Sequence, residues 1–216
     1  MTFSQKFILT TCRPLLNMLF SWKTQGRENI PATGPLIVVS NHVHVLDPIF
    51  LQFSCPRWII FLAKEELFRS RVLGFWIRWA RCLPVRRAGH ISEKQKMLDM
   101  VRGVLEEGGV LGMFPEGRRS RDGKLSKGKP GPAVIALKAG VSLLPVGIIG
   151  TDKVRGISWL WKRHRVVINI GKPFKLAPMD GRLSKSRMQS LTTQLMEQIA
   201  ALLPPEYRGD YAKPEG

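Results

Sequence analysis

Five short apolar runs rich in β-branched residues constrain this chain more than any other feature: residues 35–40, 58–63, 110–114, 143–149 and 166–170. Each is bounded by Gly, Pro or polar residues, and none shows the apolar–polar alternation of a half-exposed strand. They therefore read as strands buried on both faces. Helix-like stretches fall between them at residues 64–68, 72–79, 92–106 and 132–139. Beyond the last run, Met188, Leu191, Leu195, Ile199 and Leu202 recur at the spacing of one amphipathic helix, which Pro204 and Pro205 stop. Parallel strands need crossovers, and these helices supply them. The expected fold class is α/β, with a mostly parallel central sheet flanked by helices. The 216 residues suit a single domain. The organisation expected is an N-terminal segment over 1–25, a domain over 26–203 and a tail over 204–216 that is poorly ordered unless docked.

The N-terminal segment carries Phe3, Phe7, Ile8, Leu9, Leu15, Leu16, Met18, Leu19, Phe20 and Trp22, and residues 3–22 contain no acid. Arg13 and Pro14 interrupt it, and no stretch of the chain reaches the ~20 apolar residues of a spanning helix. No signal-peptide order of charged, apolar and cleavage regions is present. The reading is an amphipathic, membrane-associating helical segment lying in the interface. The alternative is a helix packed on the domain. Cys12, Cys55 and Cys82 are odd in number and lack a CxxC spacing, so neither a disulfide framework nor a zinc site is indicated. A reducing, cytoplasmic side is the default.

Charge narrows the partners. Lys and Arg number 34 against 16 Asp and Glu, a net charge of +18. Segments 57–87, 118–138 and 153–175 hold 22 of the basic residues and 3 of the acids, so the rest of the chain is close to neutral. Trp58, Trp76, Trp79, Trp159 and Trp161 lie in the first and third segments. Basic residues interleaved with Trp suit an anionic lipid surface, where the ring sits at headgroup level. The same mixture could stack bases. A nucleic-acid module would need a recognition helix, an RNP-like strand or a zinc finger, and none appears, so no nucleic acid is expected as a partner.

In open α/β sheets, ligands bind beyond the carboxyl ends of strands. Past the first run stands Asn41-His42-Val43-His44-Val45-Leu46-Asp47-Pro48. A carboxylate bonded to the Nδ1–H of a histidine fixes its tautomer and leaves Nε2 free to take a proton. His42 and Asp47 thus form a candidate general-base dyad. The alternative makes His42 a polar loop residue and Asp47 a helix N-cap. A metal site on His42, His44 and Asp47 would need a further convergent ligand, which no HExxH or Cys/His cluster supplies. A second strand end carries Phe114-Pro115-Glu116-Gly117-Arg118-Arg119-Ser120, a rigid turn followed by an arginine pair suited to a phosphate. Leu83-Pro84-Val85-Arg86-Arg87 ends another extended run in a second pair. Taken singly, each pair also reads as solvated surface charge.

These blocks together resemble the glycerolipid acyltransferase family, most closely its 1-acylglycerol-3-phosphate O-acyltransferase branch. Asn41 to Asp47 is similar to its NHxxxxD motif, and Phe114 to Ser120 to its FPEGxRS block. Leu144-Pro145-Val146 is similar to its hydrophobic-Pro-Val block. Leu83 to Arg87 resembles the end of GxxFxxR, departing from it with Arg81 at the Gly position and Pro84 at the Phe position. The resemblance covers about residues 26 to 175. It implies that His42, oriented by Asp47, deprotonates a lysolipid hydroxyl that attacks a thioester directly. Arg87 and Arg119, with Arg118, would hold the acceptor phosphate, and Glu116 and Gly117 would shape the acceptor pocket. Asn41, Phe114, Pro115 and Pro145 support the motifs. It implies no metal and no cofactor. The partners it implies are an acyl-CoA or acyl-carrier-protein thioester, a lysophospholipid acceptor and anionic membrane lipids at the cytoplasmic face. The leading acceptor is 1-acylglycerol 3-phosphate, giving phosphatidic acid; glycerol 3-phosphate or another lysolipid stays open.

Overall fold

The computed structural model describes residues 2–86, 91–154, 162–177 and 184–212. Among them, seven strands form one sheet in the order β1-β7-β6-β2-β5-β3-β4. The strands are β1 (Ser21–Gln25), β2 (Leu36–Ser40), β3 (Ile59–Lys64), β4 (Leu83–Val85), β5 (Val110–Met113), β6 (Ser142–Ile149) and β7 (Arg165–Ile170). Every neighbouring pair is parallel except β6 and β7. The helices are α1 (Phe3–Leu19), α2 (Asp47–Ser54), α3 (Arg71–Trp79), α4 (Ile91–Glu106), α5 (Gly131–Ala139) and α6 (Lys185–Ala200).

All five residues of β2 are buried, as a strand covered on both faces requires. Its side chains divide by parity. Ile37 and Val39 join Leu111, Leu143 and the apolar sides of α4, α5 and α6. Leu36 and Val38 join Phe20, Phe50, Leu51, Val146, Ile148 and Ile168 on the other face. Helix α2 therefore leaves β2 toward one face, and α5 leaves the adjacent β5 toward the opposite one. This divergence of neighbouring crossovers makes the carboxyl ends of β2 and β5 a topological switch point, the place at which open α/β sheets bind ligands.

Four local features bear on the sequence reading. Ser21–Gln25 is a sheet strand, so the N-terminal segment ends at Phe20 rather than at residue 25; SWKTQ hides its strand character because an edge strand is covered only on alternate residues. Residues 65–69 form a 3-10 turn. Pro14 lies inside α1 without ending it. Finally, residues 204–212 are docked on the domain in two 3-10 turns, Pro205–Tyr207 and Gly209–Tyr211, with Tyr207 buried. Leu16 and Leu19 of α1 pack on the core while Phe3, Phe7, Leu15 and Met18 stay exposed. On α3, Val72, Leu73, Phe75 and Trp76 are likewise exposed. Among the described residues no helix is long and apolar enough to cross a membrane.

Candidate active site

The end of β2 is fixed before the catalytic turn begins. Asn41, buried beside Ser40, uses its side-chain amide as an extra rung of the sheet. Its Nδ2–H donates to the Ile148 carbonyl and its Oδ1 accepts from the Ile148 N–H, both at 2.8 Å. The chain then turns, and α2 starts at Asp47 with Pro48 in its first turn, where the missing N–H costs nothing. Asp47 does not cap its helix. Its carboxylate folds back, and Oδ2 accepts from the N–H groups of Val43 and His44 at 2.7 Å each and faces His42 Nδ1 at 2.8 Å. Asp47 is 0% exposed, and its Oδ1 has no hydrogen-bond partner among the described residues. A carboxylate only accepts, so Nδ1 of the neutral imidazole carries the proton and Nε2 is left as a base. The His42 side chain is 18% exposed, open enough to meet a substrate.

The second strand end grips the same histidine from its other side. Gly117 N–H closes the Phe114-Pro115-Glu116-Gly117 turn on the Phe114 carbonyl at 3.0 Å. Glu116, 2% exposed, accepts from the His42 N–H at Oε1 (2.9 Å) and from the Ser126 hydroxyl and N–H at Oε2 (2.7 and 3.0 Å). Burial pushes its pKa up, and the bonds from Ser126 and His42 oppose the shift. Ser120 N–H donates to the His42 carbonyl at 2.7 Å, so both peptide groups of the base are held by this loop. The imidazole also stacks on Phe114 at 4.0 Å, and Phe114 stacks on Phe61 at 6.0 Å. Gly112 makes room for that stack, since a Cβ there would stand 2.4 Å from the Phe61 ring.

His42, Asp47, Phe114, Pro115, Glu116 and Gly117 thus converge, with Arg118 and Arg119 exposed immediately after them. Glu116, expected with Gly117 to shape the acceptor pocket or to serve structurally, accepts hydrogen bonds from the protein at both oxygens. Pro145 lies in β6 opposite Val39, in the sheet rather than at the dyad. Arg87, Trp159 and Trp161 lie outside the described residues. Sequence reasoning missed Phe61, Gly112 and Ser126, which no motif spacing marks. It treated His44 only as a metal ligand. The His44 Nδ1 accepts from the Leu46 N–H at 3.3 Å. Burial lowers its pKa; Asp47 opposes this, while Arg119 and His42 add to it. Among the described residues, no group of three His, Cys, Asp or Glu is placed to hold a metal ion.

A histidine held by a buried acid at the switch point of an α/β sheet, with a basic loop beside it, is an arrangement able to activate a hydroxyl near an anionic group. The chain belongs to the Acyltransferase family, whose profile it matches over residues 21–149. It is 28% identical over 201 residues to the 1-acyl-sn-glycerol-3-phosphate acyltransferase of Bacillus subtilis, covering 91% of this chain and 96% of that one. To the chloroplastic 1-acyl-sn-glycerol-3-phosphate acyltransferase LPAT1 of Arabidopsis thaliana it is 30% identical over 166 residues, or 76% of this chain. It spans only about half the length of that relative, 46%. Among solved structures, the 1-acyl-sn-glycerophosphate (LPA) acyltransferase PlsC of Thermotoga maritima is similar, with a TM-score of 0.67 and 26% identity over 92% of this chain and 79% of that one.

Proposed function

We propose that the protein transfers an acyl group from a thioester to the free hydroxyl of 1-acylglycerol 3-phosphate, forming phosphatidic acid. The observation that carries this reading is the His42–Asp47 pair at 2.8 Å, pinned between the ends of β2 and β5. The relatives' names point to the acceptor. His42 Nε2 takes the hydroxyl proton as the oxygen attacks the thioester carbonyl, while Asp47 stabilises the imidazolium through Nδ1–H. The tetrahedral intermediate collapses, the C–S bond breaks, and the thiolate recovers the proton from His42. An alcohol is a poor nucleophile at neutral pH, and a positioned base contributes roughly 10²- to 10⁴-fold. The thioester is already activated, so the reaction needs no covalent acyl-enzyme and no cofactor. Arg119 and Arg118, with Arg87, hold the acceptor phosphate and place its hydroxyl at the base.

The basic surface and the exposed apolar residues of α1 and α3 fit a domain seated on an anionic leaflet at the cytoplasmic face, from which the acceptor is drawn. Purified protein incubated with acyl-CoA and acyl-carrier-protein thioesters against a panel of lysolipids and glycerol 3-phosphate tests the assignment by mass spectrometry of products. Phosphatidic acid as the main product is expected; a different preferred acceptor overturns the substrate assignment. Vesicle flotation checks the membrane reading. Binding should rise with the anionic lipid fraction and weaken with salt, and equal binding to neutral vesicles counts against it.

A further inference from the structure

The loop between β5 and α5, residues 114–130, joins the catalytic histidine to the exposed arginines, and it is held on two sides. On its inner side Ser120 and, through Glu116, Ser126 bind the two peptide groups of His42. Lys129 N–H donates to the Pro115 carbonyl at 2.8 Å. On its outer side it meets the docked C-terminal residues. Leu125 N–H donates to the Tyr207 carbonyl at 2.8 Å, and Asp210 N–H donates to the Leu125 carbonyl at 3.2 Å, in the manner of a strand pair. Gly128 N–H donates to the Tyr211 hydroxyl at 3.2 Å. The Tyr207 hydroxyl donates to Asp152 Oδ1 at 2.8 Å, which anchors the segment to the turn after β6. Leu125 is 2% exposed and shares a core cluster with Leu203 and Tyr207.

We propose that residues 204–212 are a clamp that positions this loop for acyl transfer, with Tyr207 and Tyr211 as positioning residues; the proposal rests on the acyltransferase reading above. The lever is one peptide long. Leu125 is gripped by the clamp, and Ser126, its neighbour, binds the carboxylate that fixes His42. Segment 118–138 carries 7 Lys and Arg against 1 acid, so mutual repulsion works to spread it. Gly209 lets the clamp approach. Its φ is +50°, and a Cβ there would stand 2.2 Å from the Leu125 carbonyl oxygen.

Gly209→Ala in the full chain is the test, with a chain ending at Pro204 as the second variant. Hydrogen exchange of the Leu125, Ser126 and Gly128 amides reads the clamp without turnover. Steady-state rates with 1-acylglycerol 3-phosphate and a long-chain acyl-CoA read its effect. Released amides are expected, together with about a tenfold fall in kcat/KM for the acceptor, the worth of one lost hydrogen bond. The thioester KM should stay within about twofold, a split that general loss of folding does not give. Tyr211→Phe alone should lower acceptor kcat/KM in the same direction and by less. Released amides with unchanged acceptor kinetics overturn the proposal, as does undiminished amide protection in the chain ending at Pro204. If the intact protein transfers no acyl group to any acceptor, the functional reading fails instead, and exchange at His42 and Ser120 still reports whether the clamp reaches the histidine.

Discussion

Replacing Asp47 by Asn separates two contributions of the dyad, because the surrounding backbone decides which way the amide faces. Two N–H groups, from Val43 and His44, point at the Oδ2 position at 2.7 Å. Turning the NH₂ toward them sets donor against donor twice, so the Asn oxygen takes that place and goes on accepting from His42 Nδ1–H. The tautomer survives, and only the negative charge opposite the developing imidazolium is lost. A hydrogen bond to a charged group is worth about 1.5–3 kcal/mol and a neutral one about 0.5–1.5, so losing the charge alone costs about 1–1.5 kcal/mol. At 1.36 kcal/mol per decade that predicts about a 5- to 13-fold fall in kcat. The NH₂ then occupies the buried Oδ1 position, which has no partner among the described residues, so stability should drop by about 1–3 kcal/mol. Asp47→Ala also releases the imidazole, and losing the tautomer belongs with falls of about 10⁴-fold. Thiol release from an acyl-CoA donor, followed with a thiol-reactive chromophore, gives the rates, and urea titration gives the stabilities. A fall in Asp47→Asn as deep as in Asp47→Ala, with wild-type stability, would refute the orientation argument.

Other substitutions probe the elements around the dyad. Glu116→Gln cannot satisfy its neighbours in either orientation, because both oxygens face backbone N–H groups; a stability loss of about 1–3 kcal/mol and reduced kcat are expected in urea titrations and initial rates. Arg119→Ala should raise the acceptor KM about 10- to 100-fold and leave the thioester KM unchanged, as measured by varying each substrate in turn; equal KM values for the acceptor would move the phosphate site elsewhere. The Tyr207 phenol is buried beside Asp152, and its pKa is pushed up to about 12 from the ordinary 10. Its contribution to stability is therefore complete below pH 10 and is lost as the pH rises through about 12. The melting-temperature difference between the intact protein and Tyr207→Phe should shrink across that window.

The five strands were legible as short apolar runs; two-sided burial holds along β2 and most of β6, whereas β3 and β7 alternate buried and half-buried residues and Asn169 interrupts the run in β7. Strand β1 was not, since an edge strand carrying Lys23 and Gln25 shows no such run. Chemistry and spacing offered His42 and Asp47 as a dyad, beside a polar loop residue with a helix N-cap, and left that choice open. That Asp47 grips two backbone N–H groups instead of capping α2 depends on how the turn folds back, which spacing does not encode. The role of Glu116 stayed open for a related reason: a carboxylate in a Pro–Gly turn fits an acceptor contact or a structural part, and its bonds to Ser126, ten residues on in an unpatterned loop, are invisible to spacing. Phe114 announced itself as part of a motif, but its stack on His42 depends on Phe61 in another strand and on the absence of a side chain at Gly112.

The turn between His42 and Asp47 is shaped through main-chain groups: the Val43 and His44 N–H groups bind Asp47, and the His42 peptide is held by Glu116 and Ser120. None of these bonds involves the side chains of Val43, Val45 or Leu46, and Val45 is 56% exposed. The geometry of the His42–Asp47 pair is thereby insulated from the side chains of Val43 and Val45, whereas Leu46 packs against the core and is held by it. The exposed Val45 is thus a place where the surface beside the pair can vary while the pair keeps its shape.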